Sequence, residues 1–225
     1  MGPLPHFALV CIYVHATFGA VALLAGALAV ATRKGGLWHR RAGQAFSVAM
    51  VSAIVIAQPA IAARDNLFLG LLSPFTLYLV LRGWRLGRRA SGKPGRAWID
   101  VALALGATAS GAGLLLVGVL RWGRSGFAPV LVGLGLLALR LALPDLRRLR
   151  AGSALGPVPP AQRIRMHLIS MLGAYTAALT AFAAVNFPQD RYPPALVWLV
   201  PPSLGTVVIV WWSRRMRAGR VRLEA

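Results

Sequence analysis

The chain has 225 residues, of which 57% are hydrophobic and only 13% are charged. A chain this long and this apolar is typical of a polytopic membrane protein and excludes an ordinary soluble domain. The formal net charge of +20 would also suit nucleic-acid binding, but the basic residues fall between apolar runs and form no basic face, so we expect no nucleic-acid partner.

Seven apolar runs of the chain are long enough to cross a bilayer as helices, which takes about 20 residues each. No soluble segment remains between them that could form a second domain. We therefore predict an all-α integral membrane protein, in which residues 1–225 form a single domain built as a seven-transmembrane helix bundle. In chain order, the predicted spans cover about residues 7–31, 42–63, 67–84, 97–120, 127–146, 164–186 and 195–212.

Basic residues are distributed unevenly between the two sides of this bundle. The basic segments 32–41, 82–96, 147–165 and 213–225, which follow the first, third, fifth and seventh apolar runs, hold four, six, five and five of them, whereas the other side holds four in all. Because cytoplasmic loops carry the excess of Lys and Arg, we predict that the N-terminus lies outside and the C-terminus in the cytoplasm. Only five acidic residues are present, so we expect many arginines to meet anionic lipid headgroups of the bilayer.

Three spans carry an ionisable residue on a stripe of small side chains that recurs with helical spacing. Small residues let helix backbones approach closely in lipid, so each stripe should face another helix. That helix can belong to the same chain or to a second copy, so the stripes are also compatible with a homo-oligomer. Placing an ionisable group within the membrane costs free energy, so we take each of these residues as a candidate functional residue. The stripes are His15, Gly19, Ala22, Gly26 and Ala29; Asp100, Ala104, Ala107 and Gly111; and His167, Met171, Ala174, Ala178 and Ala181.

The depth of each ionisable residue in the membrane can be estimated from the helical rise of about 1.5 Å per residue. Five of them, from four spans, fall at one level in the cytoplasmic leaflet, and we predict a buried polar site there. His15 lies near the outer surface instead, with Gln58 and Tyr175 as buried polar company. The residues predicted at the cytoplasmic level are His39, Asp100, Arg140, Asp145 and His167.

The leading functional hypothesis is electron transfer by a bound b-type haem, with a redox partner. Haem needs axial ligands at matching depth on facing helices, and His39 and His167 satisfy this requirement. His15 with Met171 is a second, weaker pair of haem ligands because their depths differ. The competing interpretation is structural: His39 is an interfacial hydrogen-bonding residue, and His167 is a packed residue paired with Asp100.

Two other functions stay open. A proton-coupled transporter of small molecules or ions would use His15, Asp100 and Arg140 together with helices broken by internal prolines. A metal-dependent membrane hydrolase would hold zinc through His39, Asp100 and His167, although these ligands are dispersed singly along the chain. The structural alternative to the transporter is an ion pair between Arg140 and either Asp100 or Asp145.

Several segments resemble a family of bacterial multi-pass membrane proteins of unknown function. These are HATFGAVALLAGALAV, LWHRRAGQAF, RMHLISMLGAYTAALTAFAAVN and WLVPPSLG, and the likeness extends over most of the chain. The more specific parts run from His39 to Gly43 and from His167 to Asn186. The resemblance implies an inner-membrane protein in which these histidines recur together, and it implies no activity, substrate or cofactor.

Overall fold

The computed structural model describes residues 5–90, 97–150, 159–187 and 191–217, and all regular structure in these residues is helical. All seven helices are long and apolar enough to cross a membrane, which confirms the prediction of an all-α, multi-pass membrane protein. Their membership of one domain stays a prediction. In chain order the helices are α1 (His6–Ala31), α2 (Leu37–Ala63), α3 (Leu67–Ala90), α4 (Ala97–Leu120), α5 (Ala128–Arg150), α6 (Pro160–Asn186) and α7 (Pro194–Arg217).

The helices differ from the predicted spans mainly at one end of the bundle. α3 and α5 continue to Ala90 and Arg150, and α2 and α6 begin at Leu37 and Pro160. Each apolar run ends where basic residues begin. The helix continues beyond it, because Arg and Leu are good helix formers and long cationic side chains can extend away from lipid. As a result, the arginines at the end of α3 lie within a helix rather than in a loop.

Short turns connect several of the helices. The chain turns between α2 and α3 at Asp65, which has a positive φ of 47°. Asn66 caps the N-terminus of α3, because its Oδ1 accepts a hydrogen bond from Leu69 N at 3.0 Å and so satisfies one of the unpaired donors of the first turn. Gly35 and Gly123 supply positive φ angles in the turns before α2 and α5, where a side chain would be strained.

α3 is the central helix of the described bundle. It packs against α2, α4 and α6, whereas α1 packs mainly on α2 and α5 mainly on α4. Three of its side chains, Tyr78, Val80 and Leu86, are at most 1% exposed. α1 and α7 bury the smallest share of their spans, and the many large apolar side chains that they expose are as expected of lipid-facing helices.

Two of the predicted small-residue stripes lie in helix contacts. On α1, Ala22, Gly26 and Ala29 are buried, and on α4, Ala104 and Ala107 are fully buried. The third stripe differs, because on α6 Ala174 is buried whereas Ala181 is exposed. Close helix packing therefore accounts for the first two stripes without any further role for their small residues.

Candidate functional site

Two histidines from different helices meet at one end of the bundle. His39 lies at the start of α2 and His167 near the start of α6, and their ring centroids are 6.4 Å apart with the ring planes at 77°. His39 Nδ1 is 2.9 Å from Ala29 O, and His167 Nδ1 is 2.7 Å from Gly83 O. Because a carbonyl oxygen only accepts, both Nδ1 atoms are assigned as donors, and in a neutral ring each Nε2 then keeps its lone pair.

Each of these histidines is fixed by the helix that it contacts. Ala29 lies in the last turn of α1, where carbonyl groups have no partner within the helix, so His39 satisfies one of them. His167 lies against two glycines of α3. A Cβ atom at Gly87 would be 3.0 Å from His167 Cε1, and one at Gly83 would be 2.7 Å from Met171 Sδ. The missing side chains on α3 therefore leave the space that His167 and Met171 occupy.

His15 repeats the same hydrogen-bonding pattern at another place. Its Nδ1 is 2.9 Å from Ala53 O, which links α1 to α2. Met171 packs instead on Gly83 of α3, so the structure gives His15 and Met171 different neighbours.

The two polar residues predicted beside His15 have other partners in the structure. Gln58 is exposed rather than buried, and its Nε2 donates to Ile54 O at 2.7 Å and to Ser73 Oγ at 3.2 Å. Tyr175 is half-buried and makes an edge-to-face contact with Phe46. The prediction that Gln58 is buried was wrong because a membrane helix can satisfy an exposed amide through its own carbonyl groups.

A buried ion pair lies beside the histidines and joins three helices. Arg82 of α3 is 6% exposed and Asp145 of α5 is 2% exposed. The guanidinium holds the carboxylate with two contacts, Nε to Oδ2 at 2.5 Å and Nη2 to Oδ1 at 3.2 Å. Arg82 Nη1 also donates to Ser170 Oγ of α6 at 2.6 Å. The Tyr78 hydroxyl lies 3.0 Å from Asp145 Oδ2, so both charges are satisfied within the protein.

A second ion pair links α3 to α4. Arg85 Nε lies 2.7 Å from Asp100 Oδ1, and the Asp100 side chain is 1% exposed. The carboxylates of Asp100 and Asp145 thus pair with arginines of α3, and the predicted pairing of either one with Arg140 is not the one observed. A polar residue one turn inside a helix needs a partner at the same depth, and α3 supplies it because it continues beyond its apolar run.

Arg140 is exposed on α5, which corrects the prediction that it is buried. Its depth was the only basis for that prediction, and depth does not determine which face of a helix a residue occupies. The residues of this polar cluster that the sequence analysis missed are Arg82, Arg85, Tyr78 and Ser170. A signal for the first two was present, because two arginines three residues apart follow an apolar run and face two otherwise unmatched carboxylates at similar depth.

The three predicted zinc ligands are not assembled. Within the described residues there is no group of three His, Cys, Asp or Glu side chains that could hold a metal ion. His39 and His167 are together, but Asp100 is engaged with Arg85. The arrangement therefore provides a pair of imidazoles rather than the three protein ligands and open position of a catalytic zinc site.

The fold and the site define a helical multi-pass membrane protein with a histidine pair and two buried ion pairs at one end of its bundle. Comparisons with protein-family models, with curated proteins and with solved structures find no match.

Proposed function

We propose that the protein binds a b-type haem through His39 and His167 and transfers electrons within the membrane. The observation that carries the proposal is the pairing of two imidazoles from separate helices, each with its Nδ1 engaged by a backbone carbonyl. Metal-ligating histidines commonly donate their other ring N–H to such a carbonyl, which fixes the tautomer and the orientation of the ring.

The separation of the rings supports a shared metal ion. A metal–nitrogen bond is about 2 Å and a ring nitrogen lies about 1 Å from its centroid, so imidazoles on opposite sides of one ion have centroids about 6 Å apart. The observed distance is 6.4 Å. α2 and α6 also do not pack closely along their described lengths, since each packs on α3 instead. The two side chains therefore approach each other from separate helices, and together they would hold the haem iron.

Basic side chains lie near the histidine pair and could form ion pairs with the propionate carboxylates of a haem. Arg40 and Arg41 directly follow His39 and are exposed, and Arg165 lies two residues before His167. The cofactor would supply one-electron chemistry. The chain would hold it with His39 and His167, orient both rings through Ala29 and Gly83, and surround it with apolar helices that exclude water.

Both histidines also have a purely structural explanation. An edge-to-face contact between aromatic rings spans the same distance, and His39 satisfies an unpaired carbonyl of α1. The transporter and hydrolase alternatives gain no support, because Asp100 is paired with Arg85 and Arg140 is exposed on α5. The haem hypothesis is preferred because it uses the one pair of candidate ligands that is brought together.

The membrane and the orientation belong to the same proposal. We place the protein in the plasma membrane of a bacterium, as its resemblance implies, and the basic residues between the helices favour an N-terminus outside. The histidine pair would then lie in the cytoplasmic leaflet, where a cytoplasmic redox partner could approach it.

The test is haem content of the purified protein, measured as pyridine haemochrome per chain after expression with ample haem. We expect one haem per chain in the wild type and a loss of nearly all of it in His39→Ala and in His167→Ala. His15→Ala is the matched control, because it removes the same side chain and the same type of hydrogen bond, and it should retain haem. Full haem content in His39→Ala or His167→Ala would refute the assignment.

A further inference from the structure

A cleft between α5 and α6 collects more positive charge than the protein neutralises. It has a volume of about 170 Å³, several times the roughly 30 Å³ that one water occupies in the liquid. Four arginines and one aspartate line it, which gives a formal net charge of +3. The polar residues that line the cleft are Arg82, Arg140, Asp145, Arg148, Gln162 and Arg165.

Three of these arginines are left without a carboxylate inside the cleft. Arg82 and Asp145 neutralise each other in a two-contact ion pair. Among the described residues, Arg148 makes only a long contact of 3.9 Å with Met166 Sδ. Arg165 Nε is buried and has no hydrogen-bond partner there. A buried guanidinium N–H without an acceptor is costly, so an acceptor from outside the chain is expected.

The position of the cleft suits an anion at the membrane surface. Its lining comes from the second half of α5, the first turns of α6 and Arg82 of α3. α5 and α6 do not pack closely along their described lengths. This is the end of the bundle that we place in the cytoplasmic leaflet, where anionic headgroups are concentrated. Guanidinium groups match the oxygens of a phosphate geometrically as well as by charge.

We propose that this cleft is a binding site for a phosphate group, held by Arg140, Arg148 and Arg165. Gln162 adds a neutral polar group that can donate to a phosphate oxygen. The phosphate is either the headgroup of an anionic phospholipid or a free phosphate from the cytoplasm. Neither His39 nor His167 lines the cleft, and Arg165 is the one cleft arginine that also lies near the histidine pair.

The experiment compares arginine variants of the full-length, delipidated protein in detergent. Binding of dioleoyl phosphatidylglycerol is followed by native mass spectrometry, with dioleoyl phosphatidylcholine as the zwitterionic reference. We expect Arg140→Gln, Arg148→Gln and Arg165→Gln each to weaken binding about tenfold, as removal of one charge-assisted hydrogen bond does. Arg147→Gln is the control, because Arg147 adjoins Arg148 and is exposed but does not line the cleft. Its affinity should change by less than about twofold.

The two sources of phosphate are separated by competition. If phosphatidylglycerol binds tightly and millimolar inorganic phosphate does not displace it, the site recognises a lipid headgroup. If inorganic phosphate raises the unfolding temperature of the wild type but not of Arg165→Gln, and lipid shows no arginine dependence, the site recognises free phosphate. The proposal is overturned if neither probe depends on the cleft arginines, or if Arg147→Gln weakens binding as much as they do.

Discussion

Single side chains at one end of the bundle decide how its helices associate. Arg82 reaches Asp145 of α5 and Ser170 of α6, and Arg85 reaches Asp100 of α4. The sequence predicts a shared depth for His39, Asp100, Asp145 and His167, because depth follows from helical rise. It was not sufficient to predict partners, because the faces of the helices depend on rotations that only packing determines.

The buried pair predicts a large effect of one substitution. In Asp145→Asn the side chain keeps its size and loses its charge, which leaves Arg82 buried and uncompensated. Removing one partner of a buried ion pair costs about 3–5 kcal/mol, so we expect the midpoint of thermal unfolding in detergent to fall by about 10 °C. The control is Asp65→Asn in the exposed turn before α3, since Asn tolerates the positive φ of Asp65. Equal melting of the two variants would contradict a structural role for the pair.

At the scale of helices, the sequence predicts where the apolar spans lie better than it predicts where the helices end. All seven spans are helical, and α4 has the predicted bounds, whereas α3 continues six residues beyond the predicted residue 84 to Ala90. That extension places Arg85 and Gly87 within a helix that faces α4 and α6. Hydropathy could not reveal it, because the residues that extend the helix are basic.

Close approach of α4 and α5 predicts a second effect. A Cβ atom at Gly135 would lie 2.7 Å from Leu115 N and 2.8 Å from Gly111 O, and backbone atoms cannot move aside as a flexible side chain can. Gly135→Ala should therefore force the helices apart and lower the free energy of unfolding by about 1–3 kcal/mol.

Gly133→Ala is the matched control for this effect. It lies two residues away on α5, and no atom of another helix is within 4 Å of its Cβ position. Because alanine favours the helix more than glycine, we expect it to be neutral or to stabilise the protein by up to about 1 kcal/mol. Thermal unfolding of both variants in one detergent is the measurement. Equal destabilisation by the two substitutions would show that the α4–α5 contact is less close than described.

At the scale of the whole molecule, the distribution of basic residues predicts its orientation. In a Cys11→Ser background, a membrane-impermeant maleimide should label Asp65→Cys, in the turn between α2 and α3, in intact cells. It should label Lys34→Cys, in the turn between α1 and α2, only after the membrane is permeabilised. This pattern follows from the excess of Lys and Arg on the Lys34 side. Labelling of Lys34→Cys but not Asp65→Cys in intact cells would contradict this orientation and indicate the opposite one.

The central claim is that His39 and His167 hold a haem, and a visible absorption spectrum tests it most directly. The measurement is made on the detergent-purified wild type, as isolated and after reduction with dithionite. We predict a Soret band that sharpens on reduction, together with resolved α and β bands, as expected of a six-coordinate b-type haem. A featureless visible spectrum from protein expressed with ample haem would contradict the claim and leave the histidine pair as a structural contact between helices.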